Sequence, residues 1–333
     1  MNQSIRFSLC TFLSLSLFYL STMAVHPKLI NVNMFTWGLL LKNVEEAQKL
    51  AEEVGLVPNQ STPPIHCDKP MKVTKCPGQA KLGWVWSCAR KCHKSRQIGS
   101  KTKGCNKTVN PATNTWFENH KLPMHHCLAI MFAFVWKIPV NQLLLHLQNW
   151  EPDHTTSSTT VSDHYSFCRE ICEVIASHTE GQLGGPGLTT ECDETFLTRR
   201  KYNRGRYTVS HTIVLFGIYC RETKEGLYFR TNGKSKRDLW PLLLKYVHPK
   251  IKRICTDQAK QYKNVNTLFS ASTQHTTVNH SKGEFVDKND KENHINSIEN
   301  NNKHLKSFFK SRRSDKLIYQ YMAMHFYFNR FIK

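Results

Sequence analysis

The stretch "LTTECDETFLTRRKYNRGR", residues 188–206, sets the adjacent acids Asp193 and Glu194 near the end of a strand-like run and follows them with a burst of cations. Acids and cations aimed at one place suggest a metal that must meet a phosphate. If the strand is regular, successive side chains alternate, so Asp193 and Glu194 face opposite sides of it.

Outward from this stretch the pattern stays strand-like. "SHTIVLFGIYCRE", the turn "TKEG" and "LYFRT" (residues 210–231) read as a hairpin. "SKRDLWPLLLKYV" reads as a helix despite Pro241, "KRICTD" as a short strand ending in an acid, and "QHTTVNH" as another strand. A last helix is expected over 295–310. Three antiparallel strands followed by alternating helix and strand is the order of an RNase H-like domain. The fold class is therefore α/β, with a mixed-sheet domain over residues 185–333.

Three acids fall on separate elements of that pattern: Asp193 on the first strand, Asp257 past "KRICT", and Glu299 in the last helix. In-line displacement at phosphorus needs carboxylates converging on divalent ions. Mg²⁺, or Mn²⁺ in its place, suits such a site because it takes few carboxylates and keeps positions for phosphate oxygens. In the last helix Asn296, Glu299, Lys303 and Lys306 fall at i, i+3, i+7 and i+10, on one face. Lys306 sits two turns beyond Glu299, placed to hold a DNA phosphate beside the metal. The opposing run of Ile295, Ile298, Leu305 and Phe309 suits the core. Without the upstream acids, the same face would be an ordinary solvated one.

The motifs "ECDETFLTRRKYNRGR", "RICTDQAKQY", "VNHSKGEFVD" and "HINSIENNNKHLK", in that order, resemble the catalytic domain of Merlin-type DNA transposases and their bacterial insertion-sequence relatives. The similarity extends upstream through "EEAQKLAEEVGLVP", "CDKPM" and "TWFENHKLP", so it covers nearly everything after residue 40. The resemblance implies an RNase H-like fold, a DDE-type metal site and cut-and-paste chemistry. Asp193 and Asp257 match the first two acids. The third position is Glu299, with Asn296 the alternative, since relatives use either residue type. Two departures stand out. Relatives usually carry Trp three residues after the Glu, where this chain has Asn302, and an acid is typical where "MHFYFNRF" has His325. Both bear on activity more than on fold.

The chain of 333 residues carries 46 Lys and Arg against 25 Asp and Glu, a formal net charge of +21. That excess favours a polyanionic partner, here DNA. Arg199, Arg200, Lys201, Arg204 and Arg206 after the first acid, and Lys303, Lys306 and Lys310 in the last helix, are the candidate DNA contacts. No long basic amphipathic helix argues for a membrane surface, so no stable membrane association is expected. A homo-oligomer is expected from the family, because two element ends must be cut together.

Upstream of the linker "GQLGGPG" (181–187) the chain divides further. Residues 111–180 read as helices broken at Pro139, compatible with a helix-turn-helix-like DNA-binding region. Residues 41–110 hold a short amphipathic helix and a Pro-, Lys- and Cys-rich module that needs a staple to fold. Cys67, Cys76, Cys88 and Cys92 are candidate zinc ligands there, with His66 and His93 as substitutes. Their spacing departs from a regular zinc ribbon, and Pro64 stands where relatives have the partner of Cys67, so the ribbon reads as degenerate.

Residues 1–40 form a leader with the signal-like run "FSLCTFLSLSLFYL". Cleavage would remove Cys10 and leave 11 of the 12 cysteines, an odd count for a disulfide framework. An upstream extension or a misplaced start explains the run better than secretion, and nuclear localisation is expected of an active protein. Two other classes remain. One is a transposase-derived DNA-binding protein that has lost catalysis, which the two departures favour. The other is a secreted Cys-containing glycoprotein with sequons at Asn59, Asn106 and Asn279, a reading that leaves the ordered acids unexplained.

Overall fold

The computed structural model describes residues 34–76, 82–88, 105–151, 155–178, 181–197, 213–279, 286, 290–309 and 315–331. The leader to residue 33, Cys92, His93, Arg199, Arg200, Lys201, Arg204, Arg206 and Lys310 lie outside the described residues. Two compact units divide the chain, Met1–Ile171 and Cys172–Lys333. None of the helices among the described residues is long and apolar enough to cross a membrane.

The first unit opens with α1 (Met34–Leu40) and α2 (Val44–Glu53). Asn43 caps α2 by accepting the Glu46 N–H at 2.8 Å, and Gly55 ends it at φ 76°. A β-ribbon layer follows: the two-residue strands β1 (Ile65–His66) and β2 (Lys69–Pro70), then a three-stranded sheet of β3 (Lys72–Lys75), β4 (Trp84–Ser87) and β5 (Thr108–Val109) in the order β3-β4-β5. Cys67 and Asp68, both with positive φ, make the tight turn between β1 and β2, the backbone that a two-residue hairpin loop requires. Helices α3 (Met124–Val135) and α4 (Val140–Trp150) each follow a proline, Pro123 and Pro139. Helix α5 (Ser158–His178) then runs across the boundary between the units. Ile130, Ala133, Leu143, Leu147 and Val161 form the helical core, and Tyr165 donates its hydroxyl to the Ile138 carbonyl at 2.7 Å.

The second unit is built on one mixed sheet. Its strands are β6 (Thr189–Phe196), β7 (Val214–Cys220), β8 (Glu225–Thr231), β9 (Arg253–Asp257) and β10 (Gln274–Val278), in the order β10-β9-β6-β7-β8. β6, β7 and β8 pair antiparallel, whereas β9 and β10 run parallel to β6. The strands, the helix before β9 and the helix after β10 fall where the sequence pattern put them, whereas the C-terminal helix Asp315–Phe331 was not expected. Helix α6 (Lys236–Tyr246) links β8 to β9; a capping box between Ser235 and Asp238 starts it, and Pro241 sits inside it. Helices α7 (Asn296–Ser307) and α8 (Asp315–Phe331) complete the unit.

The sheet is covered on both faces. On one, Cys192, Phe216, Ile218 and Ile254 pack with Leu239 and Leu243 of α6 and with Tyr262. On the other, Leu215 packs with Leu305, Phe309 and Ile318, and Cys255 packs with Ile295 and Ile298. Burial of both faces explains why the central strands read as near-continuous apolar runs.

Candidate active site

Glu191, Asp193 and Thr195 share one face of β6 by the two-residue period, and Cys192 and Glu194 share the other. Contacts bear this out. Glu194 is held on the α6 side by Lys234 Nζ at 3.3 Å, Gln261 Nε2 at 3.2 Å and the Tyr262 hydroxyl. Asp193 instead accepts a hydrogen bond from Asn302 Nδ2 of α7 at 2.9 Å. The expected alternation of the two adjacent acids is therefore observed, and Glu194 is a buried anchor of the opposite layer.

Glu191, two residues before Asp193, positions α7. Its carboxylate is fully buried, pairs with the Arg221 guanidinium and accepts the Ile298 backbone N–H at 2.7 Å. Anions are stabilised at such helix N-termini by the unpaired N–H groups and the helix dipole. Arg221 also donates to the Glu292 carbonyl at 2.7 Å and to the His294 carbonyl, pinning the segment that leads into α7. One buried ion pair thus ties strand, turn and helix together. Sequence reasoning had assigned Glu191 no role, although its place two residues before Asp193 puts it on the same face.

Asp257 ends β9. The β6–β9 register ends at the pair Glu191 and Cys255, and Asp193 and Asp257 each follow two residues further along their strands. Asp257 accepts the Ala259 N–H at 3.1 Å, which fixes one of its oxygens at the turn. Glu299 lies half-buried in the first turn of α7. Burial, and then the charges of Glu194, Asp257 and Glu299, push the Asp193 carboxyl up to about 7. Charges from two other elements, Asp257 of β9 and Glu299 of α7, thus reach the buried Asp193 carboxyl, although the three acids are not among the described groups whose ligand atoms lie within 4.8 Å of one another. Of the two candidates for the third position, Glu299 adds its charge to this group, while Asn296 is exposed at the first position of α7. Lys303 is exposed and Lys306 half-buried further along the helix.

Residues 182–329 match the ISXO2-like transposase domain. The match supports a DDE transposase family and, with it, endonuclease and strand-transfer chemistry in general terms. Among curated proteins none matches the chain. The mixed α/β sheet fits a transposase domain, and the matched segment takes in the elements that bear Asp193, Asp257 and Glu299. Around them the matched segment carries the two departures noted in the sequence. Asn302 is buried and bridges Asp193 to the Tyr228 hydroxyl, which donates to Asn302 Oδ1 at 2.8 Å. His325 is buried beside Tyr228, ring centroids 5.3 Å apart.

In the first unit the cysteines regroup. Ligand atoms of His66, Cys67, Cys88 and Cys105 lie within 4.8 Å of one another. Cys67 and Cys88 of the expected set lie in this group, together with His66. Cys76 stands outside the group, and Cys105 takes part instead. The β-ribbon accounts for it: Cys105 leads into β5, which pairs with β4, and Cys88 follows β4 directly, so sheet pairing brings together cysteines 17 residues apart.

Proposed function

We propose that the chain is a DNA transposase of an element resembling the Merlin type, with an RNase H-like catalytic domain that cleaves DNA at the element ends and joins it to a target. The observation that carries this reading is the placement of Asp193, Asp257 and Glu299 on separate elements inside the segment that matches a transposase domain, with the charges of Asp257 and Glu299 reaching the buried Asp193. An all-oxygen donor set suits Mg²⁺ or Mn²⁺, which Asp193, Asp257 and Glu299 would hold. When bound, such ions activate the attacking oxygen and stabilise the leaving one.

The chain's own residues do the rest. Asp193, Asp257 and Glu299 hold the charge, with Asn296 one turn earlier on α7. Asn302 orients Asp193. Lys303 and Lys306 on α7, with Lys310 and the cations at 199–206, meet the phosphodiester. Strand cleavage by water frees a 3′-hydroxyl, and the same in-line geometry serves its attack on target DNA. The four-residue His66, Cys67, Cys88 and Cys105 group suits zinc, since soft donors in close array are what a structural zinc site takes. With the helical region it would read the element ends, and a homo-oligomer would bring two ends together.

Supercoiled plasmid bearing the flanking terminal repeats, incubated with Mg²⁺ or Mn²⁺, tests the proposal. Nicking at the repeat ends by wild type and none by Asp257→Ala is expected. A folded wild type that binds DNA and never nicks would leave the catalytically inactive relative as the correct reading.

A further inference from the structure

His120, Cys127 and His164 come together inside the helical part of the first unit, away from the ribbon cysteines in sequence. His120 lies in the loop before α3, Cys127 in the first turns of α3, and His164 in the second turn of α5. His120 Nδ1 is 3.3 Å from His164 Nε2 and 3.5 Å from Cys127 Sγ; Cys127 Sγ is 4.0 Å from His164 Nε2. Zinc bonds nitrogen at about 2.0–2.1 Å and sulfur at about 2.3 Å, so a tetrahedral ion has ligand edges of about 3.4 Å (N to N) and about 3.6 Å (N to S). The triangle of donor atoms has nearly those edges.

The second observation is tautomeric. His164 Nδ1 lies 2.8 Å from the Thr160 carbonyl oxygen, which can only accept, so Nδ1 carries the ring proton. The Nε2 lone pair is therefore turned toward His120 and Cys127. A carbonyl that fixes the far nitrogen is the usual outer support of a metal-bound histidine. The Cys127 thiol is fully buried and Trp116 covers His120 at 4.2 Å between ring centroids. A nucleophilic role would need an accessible thiol; a metal needs only the lone pairs.

We propose that His120, Cys127 and His164 form a zinc-class metal site, separate from the ribbon group, with one sulfur and two nitrogen ligands and a fourth position left to water or another donor. The ion would staple the loop before α3 to α5. The site is independent of the transposase reading and would survive its failure.

The test uses the full chain and Co²⁺ alone as the probe, with metal content measured on zinc-loaded protein. Wild type is expected to bind one more equivalent than His120→Ala, the difference cancelling any metal in the ribbon. Since His120 is only half-buried, the variant should keep its helical circular dichroism. His120→Cys should regain the equivalent and add a second thiolate-to-cobalt charge-transfer contribution. In a Cys88→Ser, Cys105→Ser background the single-thiolate spectrum of this site should persist. Equal metal content in wild type and folded His120→Ala, or no cobalt spectrum left in the ribbon-deficient background, would overturn the site.

Discussion

Asn302 Nδ2 donates to Asp193 Oδ2 at 2.9 Å while Asn302 Oδ1 accepts from the Tyr228 hydroxyl at 2.8 Å, so a single amide sets the rotamer of the acid at the centre of the site. A donor to a carboxylate favours its charged form, opposing the neighbouring acids. Asn302→Leu removes that donor and leaves the Tyr228 hydroxyl without its acceptor. Losing a hydrogen bond to a charged group costs about 1.5–3 kcal/mol, so the nicking rate should fall at least roughly tenfold, with its pH optimum moved upward. Asn302→Asp keeps the acceptor for Tyr228 but sets an anion against Asp193, and should be worse for metal affinity. A pH–rate profile of the three proteins decides it; an unchanged optimum in Asn302→Leu would show that the amide does not tune Asp193.

The Asp193 carboxyl, pushed up to about 7, gives the metal-free protein a signed pH dependence. Between about 4 and 7 the folded state keeps a proton that the unfolded chain has lost. Stability from this group is therefore fully present below about 4 and is lost as pH rises through 7. A divalent cation competes with that proton, so stabilisation by Mn²⁺ should be larger at pH 8 than at pH 5.5. Asp193→Asn should flatten both trends while abolishing nicking. Thermal melts across this range, with and without Mn²⁺, check the slope, and a wild-type slope retained in Asp193→Asn would assign it to another group.

Lys303 is exposed on α7, one turn beyond Glu299, and the proposed function assigns its charge to a DNA phosphate. Lys303→Ala should weaken DNA binding about equally for all sequences and reduce the salt slope of log K by about 1. Binding titrations at several salt concentrations measure the slope directly. An unchanged slope would place the phosphodiester path elsewhere.

How much of this was legible beforehand depends on the range of the interaction. Period-two alternation in "TTECDETF" located β6 and predicted the opposite facing of Asp193 and Glu194, because strand geometry is local. The order of the later elements gave the sheet. Cys105 was missed because its closeness to Cys67 and Cys88 arises from the pairing of β4 with β5, which spacing alone does not encode. Asn302 read as a departure from a Trp position, and only the packing of α7 on β6 reveals that it orients Asp193. Glu191 looked like one more acid; its role depends on Arg221, 30 residues away.

The Glu191–Arg221 pair is fully buried on the acid side, and each partner leaves an uncompensated charge if the other is removed. Glu191→Gln should cost roughly 3 kcal/mol or more, since broken buried ion pairs are among the more destabilising changes. It also removes the anion from the N-terminus of α7, so nicking should fall further than the loss of folded protein explains. Urea unfolding gives the stability change, and single-turnover nicking normalised to folded protein gives the second. A loss of activity that only tracks unfolding would reduce Glu191 to a structural role.

Gly217 of β7 lies directly opposite Asp193 on one side and Tyr228 on the other. A Cβ there would stand 2.7 Å from Tyr228 Cε1 and 3.1 Å from Ile298 Cδ1. The first distance is too short for any contact, so the Tyr228 ring must move, and with it the hydroxyl that holds Asn302. β7 is paired on both sides, and the partly buried ring is held by its hydrogen bond to Asn302 and its packing on His325, which leaves little room to yield. Gly217→Ala should therefore cost about 1–3 kcal/mol of stability by overpacking and misplace Asp193 through Asn302. Tyr228→Phe in the same background removes the hydroxyl and keeps the clash. If the two effects run through one chain of contacts, Tyr228→Phe should reduce activity in wild type and add little to Gly217→Ala. Fully additive losses in that double-mutant cycle would separate the clash from the active site.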